Sequence, residues 1–227
     1  IDLTKMAIEV APIAHYHMGG IAVDAAMQTR LPGLFAAGEA VGGANGANRL
    51  SGNAITEALV FGRSAGRSAA DYAKRMSEIP DRADNTGAVL DLLAARAPER
   101  DLNTADMVQT LQTTMQDDVG ALRNETKLKR ALSQIDRMAR DLGDLPPGDG
   151  NGFDMRRIDW LDLRNMLLVA RAVTEAAIAR TETRGAQQRE DYPHTSPEWA
   201  INQFVELRDG RVVLSGAPKR AHAVATS

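Results

Sequence analysis

Leu31-Pro32-Gly33-Leu34-Phe35-Ala36-Ala37-Gly38-Glu39 is the stretch whose reading decides the fold. Pro32-Gly33 is turn chemistry, because proline presets φ and glycine accepts the left-handed region. Leu34 to Ala37 is a short apolar run with the length and composition of a buried strand. Such a strand delivers Gly38-Glu39 at its carboxyl end, where open α/β sheets hold their ligands. Upstream lies His15-Tyr16-His17-Met18-Gly19-Gly20, and downstream Gly46-Ala47-Asn48-Arg49-Leu50-Ser51-Gly52-Asn53. A histidine, an arginine, a carboxylate and a density of glycine therefore fall in one short part of the chain.

Working outward, the pattern predicts strands over 8–13, 20–23 and 34–37, a glycine-rich loop over 42–52, and a helix from Asn53 to about Met76. In that helix Ile55, Leu59, Val60, Ser64 and Ala65 recur at helical spacing, while Gly62, Ala65, Gly66, Ala69 and Ala70 permit close packing on a sheet. Residues 79–103, punctuated by Pro80, Gly87 and Pro98, read as a connector with a short helical run from Val89 to Ala95.

Three amphipathic helices follow. The first, over 104–122 with Thr104 as N-cap, carries Met107, Val108, Leu111, Met115, Val119 and Leu122. The second is opened by Asn124 and carries Leu128, Ala131, Leu132, Ile135, Ala139 and Leu142. The third, over 159–183, carries Leu163, Met166, Leu167, Ala170, Val173 and Ala177. Short connections make an antiparallel bundle the expected arrangement. Phe204 to Leu214 alternates around Asp209-Gly210, a hairpin signal.

With 227 residues, 44% hydrophobic and 25% charged, the chain has room for a sizeable core. A net charge of −3 gives no basic footprint for nucleic acid. No apolar run approaches the roughly 18 residues that cross a bilayer, and no signal-peptide pattern opens the chain, so a cytoplasmic protein is expected. The absence of cysteine excludes disulfides, cysteine-ligated iron–sulfur clusters and a cysteine nucleophile. Any redox role then requires a bound organic cofactor or an electron-carrying partner. The sequence opens at Ile1 and enters what reads as a strand at once, so a fragment or processed chain is expected.

Arg49 follows a glycine-rich loop and precedes a helix start, with Asn53 available as a cap. A guanidinium there, beside the unsatisfied N–H groups of a helix N-terminus, suits a carboxylate or phosphate; the bland alternative is a surface salt bridge at a tight turn. His15 and His17 share a face if the segment is extended. Metal ligation is disfavoured, because no carboxylate stands nearby in sequence and His194 and His222 are remote. His15 instead suits a hydrogen bond or charge toward a ligand near Gly19-Gly20, or else it is a satisfied, partly buried side chain. Glu39 suits sugar or ribityl hydroxyls, or it is simply solvated.

Taken together, His15 to Ile21, Leu31 to Glu39 and Gly46 to Asn53 resemble the flavoprotein subunit of succinate dehydrogenases and fumarate reductases, a superfamily that includes L-aspartate oxidase. Arg184-Gly185-Ala186-Gln187-Gln188-Arg189-Glu190-Asp191-Tyr192-Pro193 resembles the segment that follows the helical bundle there. The resemblance implies an α+β fold with four parts: 1–78 as the C-terminal segment of a Rossmann-like FAD-binding domain, 79–103 as connector, 104–185 as an antiparallel three-helix bundle, and 186–227 as an extension with a hairpin.

It implies FAD as cofactor and hydride transfer to or from a small dicarboxylate of the succinate/fumarate type. His15 and Arg49 are implied to bind and polarise a substrate carboxylate. Gly38 and Glu39 are implied to meet FAD, with Glu39 at its ribityl and ribose region, and Asn53, Ala54 and Ile55 are implied to meet the isoalloxazine carbonyl.

Ala54 stands where many relatives have serine, so only its backbone can serve, and Gln187 stands where histidine is usual. No Gly-x-Gly-x-x-Gly follows a strand in this chain, and a capping domain with its proton-shuttling arginine has no counterpart here. The implied partners are therefore N-terminal FAD-binding and capping portions, without which the chain is expected to be inactive, and an iron–sulfur subunit that would hold the enzyme at the inner face of a membrane. The rival readings are an L-aspartate oxidase-like flavoenzyme and a non-catalytic helical module that docks a partner subunit.

Overall fold

A computed structural model describes residues 2–9, 15–77, 86–95, 97, 102–148 and 154–218. They belong to two units, Ile1–Ser77 and Glu78–Ser227.

In the first unit the Pro32-Gly33 turn forms as expected. The Leu34 amide donates to Leu31 O at 3.1 Å and Gly33 takes φ +83°, the left-handed value that a type II turn needs at its third residue. The arms that follow differ from expectation. Thr29 N–H donates to Leu34 O and Ala36 N–H to Met27 O, so residues 34–37 form one side of a small antiparallel loop bridged at Gln28 and Phe35, not a strand with parallel neighbours.

The expected strand over 20–23 reduces to a single parallel bridge, Ile21 with Val41. Of the one over 8–13, Ile8 and Glu9 lie in no regular element and 10–13 fall outside the described residues. An apolar run specifies burial, whereas a strand also needs hydrogen-bonded neighbours on its edges, and sequence periodicity does not report those.

Helix α1 (Asn53–Arg75) matches its predicted span. Tyr72 on α1 meets Phe35 edge-on, with ring centroids 5.9 Å apart, and so docks the helix on the Pro32-Gly33 loop. Ala65 is buried as expected, but Ile55, Leu59 and Val60 are 71%, 70% and 56% exposed. Their spacing marks a face suited to packing, and the described residues do not cover it.

The second unit holds α2 (Thr86–Ala94), α3 (Thr104–Asp118), α4 (Glu125–Leu142) and α5 (Met155–Ala179). The N-cap of α3 is Asn103 and not Thr104: its side chain accepts from Asp106 N–H, and asparagine is at least as good a cap as threonine. Asn124 caps α4 as expected by accepting from Lys127 N–H, and Asp154 starts α5 earlier than the apolar period alone suggests.

Leu142 at the end of α4 clusters with Trp160 near the start of α5. Leu128 near the start of α4 clusters with Ala177 near the end of α5. The two helices therefore run antiparallel, and α3 packs on both, with Leu111 and the C-cap residue Val119 in the core. Of the predicted faces, Leu122, Ala139 and Val173 are exposed, Met107, Val108, Met115, Leu132 and Met166 are half-buried, and the rest are buried.

Beyond the bundle, β1 (Leu122–Arg123) pairs in parallel with β2 (Gln188–Arg189). β3 (Ile201–Arg208) and β4 (Arg211–Pro218) form the expected hairpin, which packs on α5. Asp209 at φ +50° and Gly210 at φ +73° give its two-residue turn the left-handed conformation that matches strand twist. Among the described residues, no helix is long and apolar enough to cross a membrane.

Candidate functional site

The glycines fix the backbone of the site. Gly20 and Gly42 lie where two stretches of chain touch: Ile21 N–H donates to Ala40 O at 2.8 Å and Gly42 N–H to Ile21 O at 3.2 Å. A Cβ on Gly20 would stand 2.5 Å from Ala40 O, so only glycine permits this approach. The contact lays the His15–Gly20 segment alongside Gly38–Gly42.

Gly38 to Ala40 is a single 3₁₀ turn and not the end of a strand; Gly38 is buried in it and Glu39 is exposed. Glu39 Oε1 accepts the His17 amide at 3.0 Å, and His17 Nδ1 lies 3.9 Å from the same oxygen. The carboxylate that the sequence neighbourhood of His17 lacks thus arrives from residue 39. Even so, the described residues contain no group of three or more side chains able to hold a metal.

Arg49 meets the same segment at Tyr16. Its guanidinium carbon lies 4.2 Å from the centroid of the Tyr16 ring, and it has no ion pair among the described residues. The surface salt bridge offered as its bland alternative is therefore absent from them. The Tyr16 hydroxyl donates to Glu57 Oε2 at 2.8 Å and accepts from Asn45 Nδ2 at 3.3 Å. Glu57 is 8% exposed, on the second turn of α1. The hydrogen bond to Glu57 raises the Tyr16 pKa above its ordinary value and keeps the phenol neutral.

His15 is exposed and is the chain neighbour of Tyr16, the residue under Arg49. The N-cap of α1 is Gly52 at φ +90°, with no side-chain cap; Asn53 is the first residue inside the helix and does not cap it. The Asn53 amide donates to Leu50 O at 3.3 Å, and among the described residues the amides of Ala54 and Ile55 are left for another acceptor.

Residues 108–222 match the family model for the C-terminal region of the fumarate reductase flavoprotein. The chain belongs to the fumarate reductase flavoprotein family. Residues 4–55 also match an FAD binding domain, which makes FAD the cofactor of this family member, with only part of that domain present in the chain.

The fumarate reductase flavoprotein of Mycobacterium tuberculosis is 36% identical over 208 residues, covering 87% of this chain and 36% of that protein. L-aspartate oxidase of Caulobacter vibrioides is 37% identical over 212 residues, covering 93% of this chain and 34% of that one. A solved E. coli quinol fumarate reductase chain superposes with a TM-score of 0.86 at 26% identity, covering all of this chain and 40% of that chain. The flavoprotein segment described here thus spans little more than a third of these relatives.

The residues of the site that had no role of their own in the sequence are Tyr16, Asn45 and Glu57. Sequence reasoning gave Tyr16 no role and passed over Glu57 as one polar residue on a helix. The available signal was a carboxylate set between Ile55 and Leu59, with no spacing that would tie it to residue 16.

A second cluster also escaped the sequence. Glu182, fully buried, accepts from Arg180, Arg184 and the Ser196 amide. Burial alone would raise its pKa, but the hydrogen bonds from Arg184, Ser196 and Arg180 outweigh it and hold the carboxyl below its ordinary value. Gln187 accepts from Arg123 and donates to Ala177 O at 3.4 Å, so it braces the fold.

Proposed function

We propose that this chain is part of an FAD-dependent oxidoreductase that exchanges hydride between flavin and a small dicarboxylate of the succinate/fumarate type. Its partner portions would be an N-terminal FAD-binding segment and a capping segment, and its electron partner would be an iron–sulfur subunit. The carrying observation is Arg49: its guanidinium is held over the ring of Tyr16, with no ion pair among the described residues. A positive group of this kind suits a bidentate carboxylate.

The residues present fit FAD. The α1 N-terminus has no side-chain cap and offers the amides of Ala54 and Ile55. The Ala54 and Ile55 amides would meet a ring carbonyl and favour negative charge there. Glu39 would take ribityl or ribose hydroxyls through the carboxylate oxygen not engaged by His17. FAD, when bound, supplies the centre that gains or gives up the hydride.

Arg49 and His15 would hold one substrate carboxylate and draw electron density toward it, which makes the substrate carbon more receptive to hydride. The open Ile55, Leu59 and Val60 face of α1 suits packing against further FAD-binding segments.

The test is Arg49→Ala in the enzyme assembled from this chain and the complementary flavin-binding portion. The expected result is a fall in fumarate-reduction kcat/KM of at least about 100-fold with flavin content retained. Full activity would remove the clamp. The likeness to an L-aspartate oxidase sustains a second reading, in which L-aspartate is the substrate. Comparing succinate, fumarate and L-aspartate turnover in the same assembled enzyme separates the two.

A further inference from the structure

We propose that Glu57 is the positioning residue of the substrate-binding arginine: its carboxylate fixes the Tyr16 ring, and the ring holds Arg49 without engaging the guanidinium donors. This rests on the reading of Arg49 as the carboxylate clamp.

An arginine awaiting a carboxylate has two competing needs. It must be held still, and its N–H groups must stay free. An acidic neighbour would meet the first and defeat the second, because a resident salt bridge has to be broken before substrate can bind. A ring face resolves the conflict, since it attracts the cation through its π density and leaves the hydrogen-bond donors at the guanidinium edge unused. Arg49 lies 4.2 Å from the Tyr16 centroid with no ion pair among the described residues.

The ring must itself be fixed, and its hydroxyl does this. It donates to Glu57 Oε2 at 2.8 Å and accepts from Asn45 Nδ2 at 3.3 Å. Glu57 is 8% exposed and sits on α1, the most regular element of its unit, so its carboxylate is an anchor that does not wander. Donation to a charged acceptor also pushes electron density back into the phenol ring, which strengthens its hold on a cation. Glu57 thus sets the arginine through one intermediary, at a position where it does not touch substrate.

The experiment compares Glu57→Ala, Glu57→Gln and Tyr16→Phe in the assembled enzyme, reading flavin content, KM and kcat for fumarate, and inhibition by malonate as a dicarboxylate probe. Glu57→Ala is expected to raise KM and the malonate inhibition constant about 10-fold with kcat changed less than about twofold. Glu57→Gln keeps an acceptor for the tyrosine and is expected to recover most of the loss. Tyr16→Phe keeps the ring but frees it, and combined with Glu57→Ala it is expected to add nothing further.

If Glu57→Ala does not fold or retain flavin, Tyr16→Phe decides by itself: unchanged KM overturns the proposal and a raised KM upholds it. Unchanged KM and malonate inhibition in a folded, flavin-loaded Glu57→Ala also overturn it, as does a loss confined to kcat or additive effects of the two substitutions. Arg49→Ala run alongside keeps the cases apart. Wild-type behaviour there removes the clamp itself, whereas loss there with an unaffected Glu57→Ala removes only the positioning role.

Discussion

Arg189 holds both carboxylate oxygens of Asp191 at 2.8 Å from a position where the arginine is only 2% exposed. The same guanidinium donates to the carbonyls of Ala177, Ile178 and Arg180 and so closes the C-terminal end of α5, while Asp191 accepts the Glu125 amide at the start of α4. One ion pair thus ties together two helix ends of opposite partial charge.

That pairing predicts an acid-sensitive step in stability. The Arg189 hydrogen bonds hold the Asp191 carboxyl down at about 2, against burial that would raise it. The folded value lies below the unfolded one, so the stabilisation is complete above about pH 4 and is lost as pH falls from about 4 to 2. Because Asp191 is partly solvated, about 1 kcal/mol is expected. Urea titrations of the chain between pH 5 and pH 2.5 should show this slope, and Asp191→Asn should flatten it.

Glu182→Gln is expected to destabilise the second unit by about 3 kcal/mol, because two arginines that converge on a fully buried carboxylate lose their counter-charge. Thermal melting of the variant checks this. A change under about 0.5 kcal/mol would show that water replaces the carboxylate there.

Leu128→Ala removes a side chain with no exposure from the seam between α4 and α5, with an expected loss of about 3 kcal/mol. Ile158→Ala, on the same bundle but 47% exposed, is expected to change stability by less than about 1 kcal/mol. Paired denaturant curves with equal slopes test the contrast.

Gly20→Ala is expected to push the His15–Gly20 segment away from Ala40, since the new Cβ would meet Ala40 O at 2.5 Å on a backbone already at φ +143°. The prediction is loss of flavin from the assembled enzyme, read by absorbance, with the helical unit melting as before.

The sequence was legible where one side chain decides one local outcome. Leu128, Ile135, Leu163 and Leu167 mark helix faces because a period of 3.6 needs no partner to be visible, and Asn124 and Asp209-Gly210 announce a cap and a turn through their own chemistry. Strands at 20–23 and 34–37 were misread because pairing belongs to two segments at once. In the site, His15, Glu39 and Arg49 were visible as residue types suited to anions and hydroxyls, together with the motif blocks around them.

By itself, then, the sequence determined the course of the helices, the hairpin and the family, and it offered the charged groups proposed for the site. Only the tertiary structure decided how those groups are held: Arg49 over Tyr16, Tyr16 on Glu57, Glu39 on the His17 amide. The reason is physical. Local conformation follows from each residue and its near neighbours, whereas a hydrogen bond between residues 16 and 57 exists only once the chain has brought them together, and no periodicity encodes that separation.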